Sequence, residues 1–515
     1  MTSASKPPGP SGSASIAAAP IAAHRFGLAE PSLAVVGADP RGWLLAQIGP
    51  ADAQVGDALP DAVQGVRRFA EFRRLRREAA ERPSRDPPAG AGSGMTARTS
   101  TAGPAPTSDP GRASTEQRFA EHFRELVRAD LRARAVTAAT TRRPFAERLA
   151  LFWCNHFTVS MAKASVRGLA GAFEREAIRP HIAGPFETLL GAAVRHAGML
   201  RYLDNDQSAG PQSEGVQRLQ RRAQRDGTMA PRLTGLNENL AREVLELHTL
   251  GVAGGGAAYG GWGGYTQRDV TEFARVLTGW RVPLREVLSP AWPAGQAPTR
   301  FEPRWHEPGP KQLLGKTYAE GPQALDAVLH DLAHHPSTAR HLAAKLARHF
   351  VADDPPPALV HRLAQAYARS GGELAAVYRE LVAAPEAWQP QPAKLKSPEE
   401  FVIGTVRLLA LGERAFERQP DGGIAMLGQR VLAAPSPAGW PDRADEWLGP
   451  DAVWKRVEWA TRVADRVGRR VDARELARAA LGPALSDTTL QQIERASDGP
   501  QALALLLLSP EFQRR

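Results

Sequence analysis

Apolar residues recur every three or four positions along most of the chain, which is the period of an amphipathic helix. Phe145, Leu149 and Phe152 form one such stripe, and another lies at 189–194. No sustained alternation of apolar and polar residues indicates a half-buried strand, although the proline-broken segment 281–325 has room for one or two short strands. The sequence therefore predicts an all-α, multi-helical globular protein with long Pro/Gly-rich loops.

Prolines, glycines and runs of polar residues divide this helical pattern. A helix is expected to restart at Ser114, three residues before Gln117, which is the spacing of a capping box. The Arg-rich stretch 208–232 is predicted to be a loop. In chain order the predicted segments are a disordered N-terminus (1–20), an N-terminal helical segment (21–82), a flexible linker (83–113), a central helical core (114–280), an irregular loop region (281–335) and a C-terminal helical region (336–515).

The charge balance is basic, with a formal net charge of +10, and only 8 of the 65 basic residues are lysines. Much of the positive charge lies between Arg67 and Arg77, where an amphipathic helix with a basic outer face is expected. That face is either simply solvated or binds an anionic surface. Aromatic residues make up only 6% of the chain, which argues against nucleic acid as a partner because stacking platforms need them.

The single cysteine, Cys154, excludes an intramolecular disulfide and a zinc site built from cysteines, and a buried inert thiol is expected. The first residues do not form a secretory signal, because no apolar run follows a basic start. The longest apolar run, near 502–508, is far shorter than the ~20 residues that a membrane span needs. The sequence therefore predicts a soluble protein in the cytoplasm, with the periplasm as second choice.

The densest group of polar residues lies at 237–248. At about 100° per residue, Asn239, Glu243 and Glu246 share one helical face. Two carboxylates one turn apart can bind a divalent cation, or divide the acid and base roles of an enzyme between them. The alternative is a structural ion-pair network, since Arg242 lies four residues from both Glu238 and Glu246.

Asn155 and His156 form a second candidate site. His156 continues the Phe145–Phe152 stripe and is either a metal ligand or general base that approaches the carboxylates, or a core histidine bonded to a backbone carbonyl. His248 falls on the apolar side of its helix and is predicted to be a core histidine. The candidate catalytic and metal-ligating residues are therefore Glu243, Glu246 and His156, with Asn155, Asn239 and Arg242 as candidate substrate-binding residues.

Cationic residues recur at His341, Lys345 and His349, and Lys394 and Lys396 precede a predicted helix start at 397–400. Lysine is scarce in this chain, so these positions differ from the arginine background. They are interpreted as a solvated basic face, with an anion-binding site as the alternative.

Several strings together closely resemble the large bacterial family catalogued as domain of unknown function 1800. They are FWCNHF (152–157), MLRYLDN (199–205), LNENLARE (236–243), LELHTLGV (245–252), GYTQ (264–267), LTGW (277–280) and KLKSPE (394–399), with RFGL (25–28), DPRGWL (39–44) and PSPAGW (435–440) in addition. The resemblance spans roughly residues 21–460. It implies a helical fold and no established activity.

Members of that family are often encoded beside proteins similar to sulfatases and alkaline phosphatases, which implies a shared pathway or a physical partner. Two hypotheses follow. The first is an enzyme with a carboxylate-based, metal-assisted polar pocket between the His156 helix and the 237–250 helix, although the metal itself is unknown. The second is a non-catalytic accessory of the sulfatase-like neighbour, which would bind it through the loops 208–232 and 281–325.

Overall fold

The computed structural model describes residues 18–81, 110–228, 235–252 and 264–515. Most of the predicted disordered N-terminus and of the predicted linker lies outside these ranges. In chain order the α-helices are Pro40–Leu45, Ala62–Glu81, Pro110–Thr140, Pro144–His156, Ala170–Phe173, Phe186–Arg195, Ala197–Tyr202, Glu214–Arg225, Asn239–Glu243, Gln267–Leu277, Leu284–Val287, Gln323–Ala333, Pro336–Phe350, Pro357–Arg369, Leu374–Ala383, Pro398–Leu408, Pro450–Val467, Ala473–Leu481, Asp487–Glu494, Gly499–Leu508 and Pro510–Gln513. The all-α prediction is confirmed.

In the described ranges, three segments adopt the wider π-helical turn, which is rare and often found at functional sites. They are Ile21–Phe26, Glu174–Ile178 and Val244–Thr249. The third follows directly on the Asn239–Glu243 helix, so the helix predicted at 237–250 changes its pitch within the polar cluster. Its last residue supports the wide turn, because the Thr249 hydroxyl donates to the carbonyl oxygen of Val244 at 2.7 Å.

Among the residues that the structure describes, four short strands form two antiparallel pairs in and beside the region where short strands were predicted. Trp280–Arg281 pairs with Arg300–Phe301, and Lys311–Leu313 pairs with Lys316–Tyr318. The predicted irregular region 281–335 also contains the whole of the Gln323–Ala333 helix.

The predicted loop at 208–232 is wrong over its centre, where residues Glu214–Arg225 form a helix. The helix is polar over most of its surface and buries only Gly215, Val216 and Ala223. Gly215 lies against the Trp305 ring so closely that a Cβ would be 2.6 Å from it. Because the apolar strip is narrow and most of its neighbours in the sequence are polar, many of them arginines, the pattern of apolar and polar residues resembled that of a loop. The helix predicted to begin at Ser114 begins earlier, at Pro110.

One aromatic cluster joins parts of the chain that are far apart in sequence. The rings of Phe26, Phe145 and Phe350 are fully buried, with centroids 5.7 to 5.8 Å apart. Beside them, the indole N–H of Trp153 donates to the Tyr378 hydroxyl at 2.6 Å. The N-terminal, central and C-terminal helical segments therefore pack into a common core that holds the Pro144–His156 helix in place. No helix in the described ranges is long and apolar enough to cross a membrane.

Candidate active site

A cavity of about 340 Å³ lies at the C-terminal end of the Pro144–His156 helix. The FWCNHF string contributes Phe152, Cys154, Asn155 and His156 to its lining. Most of the remaining wall comes from the Pro336–Phe350 helix, the start of the Pro398–Leu408 helix and the loop 429–446, and Leu28 and Arg134 also contribute. Four of the strings that carry the family resemblance, at 25–28, 152–157, 394–399 and 435–440, therefore meet at one place.

Asn155 fixes the 435–442 loop to the end of its helix. Its Oδ1 accepts a hydrogen bond from the backbone N–H of Trp440 at 2.7 Å, and its Nδ2 donates to the carbonyl oxygen of Trp440 at 2.9 Å. Gly439 has φ +85°, and a Cβ there would lie 2.5 Å from the carbonyl oxygen of Asn155. Glycine is therefore required at this position. The side-chain amide of Asn155, which was predicted to bind substrate, is therefore hydrogen-bonded to the backbone of Trp440.

The loop places Asp442 next to His349, with Oδ2 3.2 Å from Nδ1 of the imidazole. Burial raises the pKa of Asp442, but His349 and then Lys394 outweigh it and lower the pKa to about 2. An ionised carboxylate can only accept, so Nδ1 of His349 carries the proton and Nε2 presents a lone pair. That Nε2 is buried and has no hydrogen-bond partner among the described residues.

His349 is a neutral imidazole at pH 7, because burial lowers its pKa and Asp442 only partly opposes this. Its side chain is 14% exposed and its ring centroid lies 5.3 Å from that of Phe152. The group can therefore accept a proton within the cavity. Such a neutral histidine, oriented by a carboxylate through its other nitrogen, is the arrangement of a general base.

Lys345 lines the same cavity one helical turn before His349. Its ammonium forms no hydrogen bond or ion pair with any residue in the described ranges. Burial, opposed by Asp442 and reinforced by Arg348, lowers the pKa of Lys345 to about 8. The preferred prediction of a solvated basic face is wrong, because His341, Lys345 and His349 are all partly or largely buried.

Glu400 anchors the opposite wall. It forms a capping box with Ser397, whose N–H donates to Glu400 Oε2 at 2.9 Å, and it also accepts from the guanidinium of Arg148. Arg515 joins Glu400 Oε1, at 2.8 Å, to the carbonyl oxygen of His349, at 2.6 Å. The two walls that carry His349 and Glu400 are therefore tied together by buried charged hydrogen bonds.

Cys154 has no sign of nucleophilic activation. Burial and the nearby charge of Glu174 raise the pKa of its thiol well above the ordinary value, and Arg134 only partly opposes them. Reactive cysteines have a lowered pKa. The geometry agrees with the inert thiol expected from the sequence.

His156 is 2% exposed and lies against the π-helical segment. Its Nε2 is 3.2 Å from the carbonyl oxygen of His248, and its ring centroid is 5.9 Å from that of His248 and 6.3 Å from that of His341. Burial, with Lys345 and His248, lowers its pKa well below the ordinary value. His156 is therefore a buried neutral imidazole, and its Nδ1 has no partner among the described residues. His248 is the buried histidine that was predicted.

Glu243 and Glu246 do not line this cavity, and neither forms a hydrogen bond or ion pair with His156. Burial and then the charge of Glu246 raise the pKa of Glu243. Burial and then the charge of Glu243 raise the pKa of Tyr202 to about 12. The catalytic and metal-binding roles of the two glutamates remain predictions.

Arg242 pairs with Glu238 at 3.3 Å and with Gln267 at 3.0 Å, rather than with Glu246. Glu238 also accepts from the Thr271 hydroxyl at 2.7 Å. These bonds connect the Asn239–Glu243 helix to the Gln267–Leu277 helix, as the ion-pair alternative predicts. Asn239 is exposed beside them.

The candidate metal ligands Glu243, Glu246 and His156 are not brought together. In the part of the chain that the structure describes, a different group has the spacing of metal ligands. The ligand atoms of Glu187, His330 and His334 lie within 4.8 Å of one another. It lies on the surface, where the two histidines are exposed.

Sequence reasoning missed Asp442, and it identified Lys345 and His349 only as an anion-binding alternative. Their spacing of one turn on a helix was the available signal. Nothing in the sequence near Asp442 indicates a partner 93 positions away.

Comparisons with curated proteins and with solved structures found no match to this chain. A family model described as protein of unknown function (DUF1800) matches residues 22–514, nearly the whole length. The chain therefore belongs to the DUF1800 family.

Proposed function

We propose that this chain is an enzyme that uses His349, oriented by Asp442, as a general base in the cavity beside Phe152. One observation carries the proposal. Nδ1 of His349 is bonded to an ionised carboxylate, while Nε2 is buried without a partner. Leaving a buried polar atom unsatisfied costs about 1–3 kcal/mol, so such an atom in a cavity is typical of a group that meets a ligand.

The chemistry follows from the charges around the cavity. His349 accepts a proton from water or a substrate hydroxyl through Nε2, and Asp442 stabilises the imidazolium that forms. Lys345 stabilises negative charge that develops on the substrate or returns a proton to the leaving group, since its pKa of about 8 suits both roles. Hydrolysis of an ester-type bond in a polar substrate is the reaction class that these groups serve best.

This proposal keeps the carboxylate-based enzyme of the sequence prediction but assigns the carboxylate to Asp442. Metal-assisted chemistry at Glu243, Glu246 and His156 remains a separate proposal. A cavity of about 340 Å³ lies at the small end of the range for small-molecule sites, so it suits a metabolite or one end of a larger substrate.

The test is hydrolysis of a panel of p-nitrophenyl acetate, phosphate and sulfate by the full chain, with His349→Gln and Asp442→Asn as variants. We expect kcat/KM to fall about 100-fold or more in His349→Gln, which is the usual contribution of a general base. His361→Gln is the matched control, because His361 is an exposed helical histidine outside the cavity.

A measurement that needs no substrate accompanies the panel. Diethylpyrocarbonate acylates neutral imidazole, and peptide mass spectrometry locates the product. We expect acylation of His349 in the native protein and protection of the buried His248. Turnover that survives in His349→Gln would overturn the proposal. A chain that turns over none of the three esters, shows no acylation of His349 and co-purifies with a sulfatase-like protein would favour the accessory role.

A further inference from the structure

A second cavity is separate from the proposed active site and shares no lining residue with it. It is a groove of about 1690 Å³ between the Ala62–Glu81 helix and the segments around Arg281 and Trp305. Its charged lining consists of the arginines Arg67, Arg68, Arg73, Arg74, Arg77, Arg201, Arg281, Arg285 and Arg304 and the acids Glu71, Asp206, Glu286 and Glu302. The groove is therefore strongly basic.

Two of the acids are already engaged in ion pairs with Arg300 or Arg304. Glu286 accepts from Arg300, and Glu302 accepts from Arg300 at 3.0 Å and from Arg304 at 3.2 Å. Glu71 is an exposed partner of Arg68 at 3.7 Å. Asp206 is the acid that remains on the floor, so the arginines there outnumber their counter-charges.

Arg201 is the buried centre of this floor. It is 5% exposed, with its guanidinium 4.2 Å from the centroid of Phe69, and its Nε and Nη1 have no hydrogen-bond partner in the described residues. Its nearest carboxylate, Asp206, is 3.9 Å from Nε, beyond hydrogen-bond distance. The pKa of Arg201 is lowered by burial and by the like charge of Arg73, and Asp206 only partly opposes this.

Arg281 repeats the pattern at the neighbouring position. Its Nη1 is also buried without a partner, and its guanidinium stacks 4.8 Å from the centroid of Trp305. Arg304 lies 5.6 Å from the same ring. The pKa of Arg281 is lowered by burial, and the charges of Glu302 and then Asp206 only partly oppose this, so Asp206 is a counter-charge that Arg201 and Arg281 share.

A buried cation whose hydrogen-bond donors lack acceptors raises the free energy of the folded protein, and like charges held close together raise it further. An anion with several acceptor oxygens would bond to the unsatisfied donors and also offset the repulsion between the cations. Guanidinium groups bind phosphate and sulfate through parallel hydrogen bonds. We infer that the groove binds a ligand through its phosphate or sulfate group, held by Arg201 and Arg281 on the floor and by Arg73 on the rim.

The volume of the groove exceeds that of the anionic group alone, so the rest of the ligand extends along the Ala62–Glu81 helix. This assigns a role to the basic face that the sequence places between Arg67 and Arg77. The binding site is independent of the acid–base cavity, and its failure would leave the proposed function unaffected.

The test is isothermal titration of the full chain with inorganic phosphate, inorganic sulfate and a 20-base-pair duplex DNA. The variants are Arg201→Gln and Arg73→Gln, and Arg221→Gln is the control because it removes an equal charge from an exposed helix outside the groove. We expect Kd for the small anions to rise about tenfold or more in Arg201→Gln, the loss expected for a charged hydrogen bond, and to stay within about twofold in Arg221→Gln.

Phosphate and sulfate distinguish the source of the oxyanion, since preference for one identifies a phosphorylated or a sulfated ligand. Thermal unfolding with and without the anion gives a second reading, because a bound ligand raises Tm. If Arg201→Gln does not fold, the change in anion affinity of Arg73→Gln relative to the control is the deciding measurement. Three results would overturn the inference in favour of a general polyelectrolyte surface. They are no binding of the small anions, an equal loss of affinity in all three variants, and binding of DNA only, with a steep salt dependence.

Discussion

Asn155 holds Trp440 by both of its backbone polar groups, accepting from its N–H and donating to its carbonyl oxygen. The two residues are 285 positions apart. The contact fixes the loop that delivers Asp442 to His349, so an amide at the end of one helix determines the geometry of the proposed general base.

Asn155→Ala is expected to destabilise the protein by about 1–3 kcal/mol, because it leaves a backbone donor and acceptor of Trp440 without partners in a half-buried loop. Urea unfolding of the two proteins measures the difference. Asn239→Ala is the matched control, since that amide is exposed, and its effect should stay within about 0.5 kcal/mol. Equal stability of wild type and Asn155→Ala would contradict the role assigned to this contact.

The helical core could be predicted because its signal is local. Phe145, Leu149 and Phe152 repeat at the helical period, and the structure buries all three on one helix. The π-helical turn at Val244–Thr249 could not be predicted in the same way. A wider turn of the backbone shifts the faces on which Glu246 and His248 lie, and the sequence pattern at 237–250 assumes a uniform pitch.

The site was predictable only in part, because its chemistry depends on contacts between distant segments. Asn155, His156 and the His341–His349 spacing each stood out locally. What joins them is tertiary structure, and the pairing of His349 with Asp442 has no local signal. Glu243 and Glu246 stood out more strongly, yet neither lines the cavity.

Stability should fall as the pH drops from about 6.5 towards 4. Burial and then the charge of Lys345 lower the pKa of His248 to about 3 and that of His341 to about 4. The unfolded chain, in which histidine has a pKa near 6.5, then binds more protons than the folded one across this window, so stability rises with pH there.

Each such histidine contributes a slope of about 1.4 kcal/mol per pH unit within the window. Urea unfolding at intervals of half a pH unit measures the total slope, and His248→Gln should reduce it by one histidine's share. The exposed His361→Gln should leave it unchanged. A flat profile between pH 6.5 and 4 would show that these imidazoles are not buried.

Asp442→Asn should lower the pKa of His349 further. Burial already lowers it, and the Asp442 carboxylate is the group that opposes this by stabilising the imidazolium. NMR titration of the imidazole resonances measures the shift. Asp354→Asn is the control, because it removes an exposed carboxylate that pairs with Arg443 close to the same loop. A His349 pKa that does not change in Asp442→Asn would remove the orienting role of the carboxylate.

Glu243→Gln should leave the protein as stable or more stable at pH 7. Burial and the neighbouring charge of Glu246 raise the pKa of Glu243, so its ionised form is disfavoured in the folded state and a neutral amide relieves the cost. Glu238→Gln should have the opposite effect and cost about 0.5–1.5 kcal/mol, because it weakens bonds to Thr271, Gln267 and Arg242. Urea unfolding measures the stability of each variant, and elemental analysis of the same preparations measures their metal content. A divalent metal that is present in wild type and absent from Glu243→Gln, with a loss of stability, would instead show that the two glutamates hold a cation whose charge offsets their repulsion.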